Sequence, residues 1–423
     1  GPDGELAVTG SAEGVVRLWH LESGLTLRRW AMPAAVTSLA LSRDGYALAV
    51  SSDGGLAVME VASGRAMQRL EQAGAWKLIS GQRCRPYRRM QVEDGTDSEA
   101  EPLLFDAPAF NMERLGTIVE NDLVQWSLWQ VVDAGGLVEI FCPDQLDRIE
   151  VHDDRSLVSL NSGKSISTSL VVGADGASSQ VRKAAGIRQD HWAYNQHGLV
   201  AVVKKQKPNP GVAWQRFLSG GPLAFLPLED GRSSIVWTLP SIEAGQMLKL
   251  DDESFMAALD TASIGWLGEV EHCGPRAAFP LSMRLSDRYA ARRTVLMGDA
   301  AHVVHPLAGQ GVNLGFADAA ALAEILVGAR IAGNDIGSAK ILQKYDRWRR
   351  AESEAMAFGM HALRSFFTID ALSPIRKAGL AIVKRSWTVK DMFLQRAAGV
   401  GRNAPALATG VTLRSLMHPT TLP

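Results

Sequence analysis

Cysteine is scarce in this 423-residue chain: Cys84, Cys142 and Cys273 are its only three. They are far apart, odd in number and in no ligand spacing. That removes a disulfide framework and a cysteine metal site, and leaves reduced thiols in a cytoplasmic protein as the expectation. An excess of one charge is missing as well. The formal net charge is -1, so no nucleic-acid partner and no electrostatic membrane anchor is expected from the overall balance. No apolar run of about 18 residues occurs, so neither a spanning helix nor a signal peptide is expected. The chain opens Gly1-Pro2-Asp3 rather than with Met, as a fragment, a processed product or an unusual gene product would.

What is present is an ordinary globular balance, 46% hydrophobic and 21% charged, enough for a large core. The first seventy residues differ in style from the rest. Alternating strands are expected at Glu5–Thr9, Val15–Leu21 and Leu25–Trp30, and again at Tyr46–Val50, Leu56–Val61 and Arg65–Leu70. Their turns, Asp3-Gly4, Glu13-Gly14 and Ser23-Gly24, recur as Asp44-Gly45, Asp53-Gly54 and Ser63-Gly64, at offsets of 41, 40 and 40 residues. A period near 40 with about four strands per unit marks a β-propeller blade. Val15-Val16-Arg17-Leu18-Trp19 resembles the strand that ends in the Trp-Asp dipeptide of WD-repeat proteins, with His20 where Asp would stand. A plain meander with glycine turns is the alternative. A propeller closes with about four to eight blades, and fewer than two fit here. The segment must therefore pair with something else or come from a longer array.

Beyond Glu71 the pattern is mixed α/β. Helices are expected at Gln72–Ile79, within Gly116–Asp133 after a short strand, and at Gly311–Ala329, with a basic helical tail over Ala339–Ala398. Strands are expected at Leu137–Phe141, over Ile149–Val158, at Ser169–Gly173 and at Thr294–Met297, and an antiparallel sheet over residues 195–240.

Two strand-to-turn motifs carry the chemistry. Val171-Val172-Gly173-Ala174-Asp175-Gly176 runs from a strand through a tight turn into a helix bearing Ser179 and Arg182. Gly173 and Gly176 allow close backbone approach, and Asp175 suits a helix start. The second motif is Leu296-Met297-Gly298-Asp299, followed by Pro306, Gly309, Gln310, Gly311, Val312 and Asn313. A carboxylate at Asp299 is suited to accept from sugar-alcohol hydroxyls. The helix that starts at Gly311 offers unpaired N–H groups and partial positive charge. His302 and His305 lack any evident third ligand, so no metal is expected. Asp318 and Glu324 read as structural or solvated.

With these motifs the chain, from about Leu70 onward, resembles the FAD-dependent hydroxylases of ubiquinone biosynthesis, flavin aromatic monooxygenases of the para-hydroxybenzoate-hydroxylase-like fold. Gln215–Leu228, Ser233–Thr238, Trp192–Gln196 and Tyr345–Glu352 extend the resemblance. It implies that Asp175, Gly176, Arg182, Gly298, Asp299, Pro306, Gly309, Gln310, Gly311, Val312 and Asn313 surround FAD, that Asn121 and Gln125 lie on a short helix over it, and that Pro222 and Leu223 line the substrate pocket. NAD(P)H is the implied reductant and a polyprenylated phenol the implied substrate. No side chain is required as a nucleophile. Prenylated substrates further imply peripheral association with a membrane, at the inner membrane surface, or with a ubiquinone-biosynthesis complex, and Arg376, Lys377, Lys384, Arg385 and Lys390 supply basic charge for it.

The implied fold is α/β: a Rossmann-like FAD-binding domain, an antiparallel substrate sheet and C-terminal helices. The expected divisions are a WD-like segment at 1–70, FAD-domain portions at 71–190 and 286–335, the substrate sheet at 191–285 and a helical tail at 336–423. One part of the family pattern is not found. No G-x-G-x-x-G turn between a strand and a helix occurs in residues 1–70, where the family holds the ADP half of FAD. Two readings follow. One is a hydroxylase impaired by loss of that unit. The other is a non-catalytic scaffold that keeps the hydroxylase shell and binds a partner through its β-repeats.

Overall fold

The computed structural model describes residues 64–80, 82–95, 101–110, 112–305, 311–368, 404–409 and 411, two single positions beyond, and the backbone of six short strands before residue 63. Leu6–Gly10, Val15–His20 and Leu25–Ala31 form an antiparallel sheet, and Val36–Leu41 pairs with Leu48–Ser52. The turn dipeptides of the repeat before Ser63 lie outside the described residues.

The repeat ends early. Arg65–Leu70, expected as a strand, belongs to the helix Gly64–Gln72. Met67 and Leu70 are three residues apart, a helical spacing, and they pack against Ile79, Val119, Leu123 and Val124. Met59–Ala62 pairs with Gly116–Glu120 instead of with the other early strands. Leu137–Phe141 is likewise not a strand. No ladder lies beside it among the described residues, and Leu137 is 94% exposed.

A nine-stranded sheet dominates the described residues. Its long strand, Gln189–Lys205, lies between Ser233–Pro240 and Ala277–Ser286, and the sheet continues through Gly221–Pro227 and Val212–Leu218 to Arg89–Asp94 and Leu103–Asp106. Helices Ser241–Met247 and Asp252–Ala262 cover one face over a core of Leu199, Trp214, Leu223, Phe225 and Trp237. On the other face, Tyr194, Met283 and Leu285 meet Val304, Leu314 and Ala357.

A parallel pair, Val171–Gly173 with Thr294–Leu296, carries the two motifs. Behind it Val295 and Leu296 pack with Ala321, Leu322, Leu342 and Tyr345 from helices Gly311–Ile331 and Ala339–Thr368. The former helix is long and apolar enough to cross a bilayer. Here its Asp318, Ala321 and Leu322 are buried inside the protein, so it serves as a core helix. The basic positions of the tail, Arg376 to Lys390, lie outside the described residues.

Candidate functional site

Parallel strands deliver both motif turns to one end of the pair. In the first, Asp175 is fully engaged. Its Oδ1 accepts from the Ser179 hydroxyl at 2.5 Å, and its Oδ2 accepts from the Gln180 and Val181 amides at 2.7 and 3.0 Å. Ser179 Oγ in turn accepts from the Arg182 amide at 2.9 Å. These bonds satisfy the start of the helix Gln180–Ala184. Gly173 is required by packing: a Cβ there would lie 2.7 Å from Leu296 Cδ2 and 2.9 Å from Val181. Gly176 is required by conformation, at φ +77.

Arg182 is buried. Its Nη1 donates to the Ala300 carbonyl and its Nη2 to the Ala177 carbonyl, each at 3.0 Å. Burial lowers its pKa, partly offset by Asp175. The side chain thus braces one motif against the other. Met297 N–H reinforces the brace by donating to the Gly173 carbonyl at 3.0 Å.

In the second turn Gly298 has φ +57 and faces Gly315 of the long helix, where a Cβ would sit 3.5 Å from Gly298 Cα. Two glycines therefore let the turn approach the first part of that helix. Asp299 accepts no hydrogen bond among the described residues and its edge is open to solvent. Surrounding protein pushes its carboxyl pKa up, against the pull of His302 and Arg284. A carboxylate with its edge in solvent, a left-handed glycine and a nearby helix start, whose dipole favours negative charge, fit a polyhydroxyl chain joined to a ring that becomes negative on reduction, the ribityl and isoalloxazine half of FAD. Gly311, Val312 and Asn313 form that helix start, and Asn313 is buried. Arg69 Nη1 donates to the Asn313 carbonyl at 3.2 Å. Pro306, Gly309 and Gln310 lie outside the described residues.

Asn121 and Gln125 begin the helix Asn121–Gly135. Its Leu123, Val124 and Leu128 pack toward Phe316, while Gln125 is exposed, Asn121 half-buried, and neither side chain makes a hydrogen bond among the described residues. Pro222 and Leu223 point to opposite faces, as alternation along a strand requires. Leu223 is buried in the core beneath the two covering helices, so it does not line the other face. Pro222 pairs with Phe217 on that other face.

Three groupings were not legible as site features in the sequence. Asp318, fully buried, accepts from Gly298 N–H at 2.9 Å and Arg349 Nε at 2.7 Å, and pairs with His302 Nε2 at 2.7 Å. Burial alone would raise its pKa, but His302 and Arg349 together hold it below the usual carboxylate range. A carboxylate inside an Ala- and Leu-rich helix was the available signal. Arg284, on the strand Ala277–Ser286, reaches the Ala177 carbonyl at 3.3 Å. The third grouping is Tyr194, whose hydroxyl lies 3.3 Å from His361 Nδ1 and whose ring lies edge-on to His305, centroids 4.9 Å apart. No group of three or more metal-ligating residues occurs among the described residues.

Comparison with known proteins fits this geometry. A sequence model of the family described as FAD binding domain matches residues 145–358. The 3-demethoxyubiquinol 3-hydroxylase of Escherichia coli (strain K12) is 35% identical over 333 residues, 78% of this chain and 84% of that protein. The ubiquinone hydroxylase UbiL of Rhodospirillum rubrum is 34% identical over 418 residues, 96% of this chain and 95% of that protein. Among solved structures, pqsL, a probable FAD-dependent monooxygenase from Pseudomonas aeruginosa, superposes with a TM-score of 0.64 at 24% identity, over 77% of this chain and 89% of that one. That last likeness is one of fold.

Proposed function

This chain belongs to the FAD-dependent hydroxylases of ubiquinone biosynthesis, and from that premise we propose that it hydroxylates the ring of a polyprenylated phenol. It is an FAD-dependent monooxygenase with NAD(P)H as reductant. When bound, FAD supplies oxygen activation and delivery of one oxygen atom to an electron-rich ring. The observation that carries the reading is the unspent Asp299 carboxylate at the Gly298 turn, packed on the start of the Gly311–Ile331 helix.

The chain's own part is to hold and to shield. Asp299 would accept from the ribityl hydroxyls. The helix start at Gly311, Val312 and Asn313 would stabilise negative charge on the reduced ring. Asp175, Gly176 and Arg182 fix the adjoining turn, and Asn121 and Gln125 offer amides from the side. Pro306, Gly309 and Gln310 complete the loop by sequence. The apolar sheet face around Tyr194, Met283 and Leu285, with Pro222 farther along, keeps water from the ring. Peripheral membrane or complex association would follow from a prenylated substrate, with the basic tail as the contact. The scaffold alternative has no observation in its favour beyond the missing G-x-G-x-x-G turn.

Purified protein supplied with FAD, NAD(P)H and a prenylated phenol tests the proposal. A yellow protein that oxidises NAD(P)H and yields hydroxylated phenol is expected. A folded protein that stays colourless after reconstitution would reject it.

A further inference from the structure

Asp318 draws together three parts of the chain that are distant in sequence. Its Oδ2 accepts from the Gly298 amide and pairs with His302, while its Oδ1 accepts from Arg349 on the helix Ala339–Thr368. We propose that Asp318 is a positioning residue for the cofactor-facing Gly298–Asp299 turn, and that Arg349 holds it in that role. The proposal rests on the flavin reading of that turn.

Stability does not explain this hub. A fully buried carboxylate gives up its hydration, and replacing such a group together with its partners by apolar residues is often neutral or stabilising. What the hub supplies is geometry. Gly298 is a left-handed glycine with wide conformational freedom, and its amide lies one residue before the Asp299 carboxylate. Anchoring that amide removes the freedom and fixes the direction of Asp299. Gly298 N–H has no other acceptor among the described residues.

The helix on the far side of the hub has a second contact. Arg349, Ser353, Ala357 and His361 recur every four residues and so share one face. Arg349 and Ser353 are buried, and Ala357 packs with Tyr194, Met283, Val304 and Leu314 on the sheet side. A single rigid element thus meets Asp318, the anchor of the cofactor turn, at Arg349 and the Tyr194 cluster at His361, about 18 Å farther along its axis. Through Asp318, the helix sets the turn relative to the sheet face that would hold the substrate.

The test uses D318N, R349M and R349K in the full chain, with Leu259→Ala, in the separate helix-covered core, as a control of lowered stability. Two quantities are read: amide hydrogen exchange of residues 296–303 in the protein without FAD, and the FAD dissociation constant by flavin fluorescence. D318N and R349M are expected to speed exchange in that segment and to weaken FAD each by about tenfold or more. The double variant should be no worse than D318N alone, and R349K should recover part of both losses. Leu259→Ala should lower the melting temperature and change neither quantity. A folded D318N with wild-type exchange and wild-type FAD affinity overturns the proposal, as does a control that shifts both quantities equally. Should D318N not fold, R349M and R349K decide by the same readings. If the wild type takes up no FAD, the flavin reading fails, and the exchange measurement still decides whether Asp318 anchors the turn.

Discussion

The guanidinium of Arg182 donates to the carbonyl of Ala300 at 3.0 Å, so the arginine of the first motif is bonded to the backbone of the second. Its other terminal nitrogen takes the Ala177 carbonyl. The residue is an internal strut between two turns rather than a surface cation, and only a planar fork spans both carbonyls.

Arg182→Met is therefore expected to lose about 1–3 kcal/mol of stability, because the buried Ala300 carbonyl loses its donor and the half-buried Ala177 carbonyl keeps only Arg284. Arg182→Lys should recover less than half of the loss, since an ammonium cannot reproduce the fork. Urea denaturation of both variants checks this. A cost below about 0.5 kcal/mol for Arg182→Met would mean that the strut is dispensable.

Gly173 and Gly176 are glycines for different reasons, and the difference is measurable. At Gly173 any side chain meets Leu296 and Val181 at under 3 Å, so Gly173→Ala should cost roughly 1–3 kcal/mol and Gly173→Asn more. At Gly176 a Cβ would meet nothing within 4 Å, and the constraint is the left-handed backbone alone. Asparagine tolerates that region, so Gly176→Asn should stay within about 1 kcal/mol of wild type. Melting temperatures that rank the two Asn variants the other way would refute this division.

The same contrast shows what was legible in the sequence. The strands that deliver Gly173 and Gly298, and the helix from Gly311, follow from local periodicity and turn residues, and their bounds differ from the expected ones by a residue or two. Side and partner were harder to read. Leu223 sits in the helix-covered core and Pro222 on the other face because neighbouring residues alternate, and the local pattern does not say which of them takes which face. Arg65–Leu70 kept the repeat's turn but had a helical pair, Met67 and Leu70, whose burial partners lie far along the chain. Asp318 with Arg349, and Tyr194 with His361, are long-range pairs that no local pattern announces.

Alkaline pH should unfold the protein through its tyrosines. Burial pushes the Tyr87 phenol up to about 12 and raises Tyr289 and Tyr345 further. For a phenol whose pKa is raised on folding, the stability contribution is intact below the unfolded value near 10 and is lost as pH rises through the folded value. Tyr87 alone accounts for about 2–3 kcal/mol lost between pH 10 and 12. Absorbance at the phenolate band should show these three tyrosines titrating only with loss of the folded circular-dichroism signal. Their titration in the folded protein near pH 10 would contradict the burial.

At Tyr194 the long strand departs from regular pairing with Ala277–Ser286. Ala193 pairs with Ser282 and Gln196 with Leu281, so Tyr194 and Asn195 have no residue opposite them, and Asn195 takes φ +52. Such bulges re-aim side chains, and non-glycine residues at positive φ gather at functional sites. Here the bulge brings the Tyr194 hydroxyl to His361 and its ring to His305, beside Val304 of the cofactor loop. A hydroxyl within hydrogen-bond reach of an imidazole gives a phenolic proton a route away from the ring, which makes the ring richer in electrons. Tyr194→Phe should therefore leave FAD affinity within about twofold and lower hydroxylation by about tenfold or more. NAD(P)H oxidation should fall less, so that less product forms per NAD(P)H consumed. His361→Asn should reproduce the defect, and the double variant should add little to either single one, because the two groups act in series. Product yield and its pH profile, measured for all three variants, decide the matter. Wild-type yield and profile in Tyr194→Phe would take the tyrosine out of the chemistry and leave the bulge as a packing feature alone.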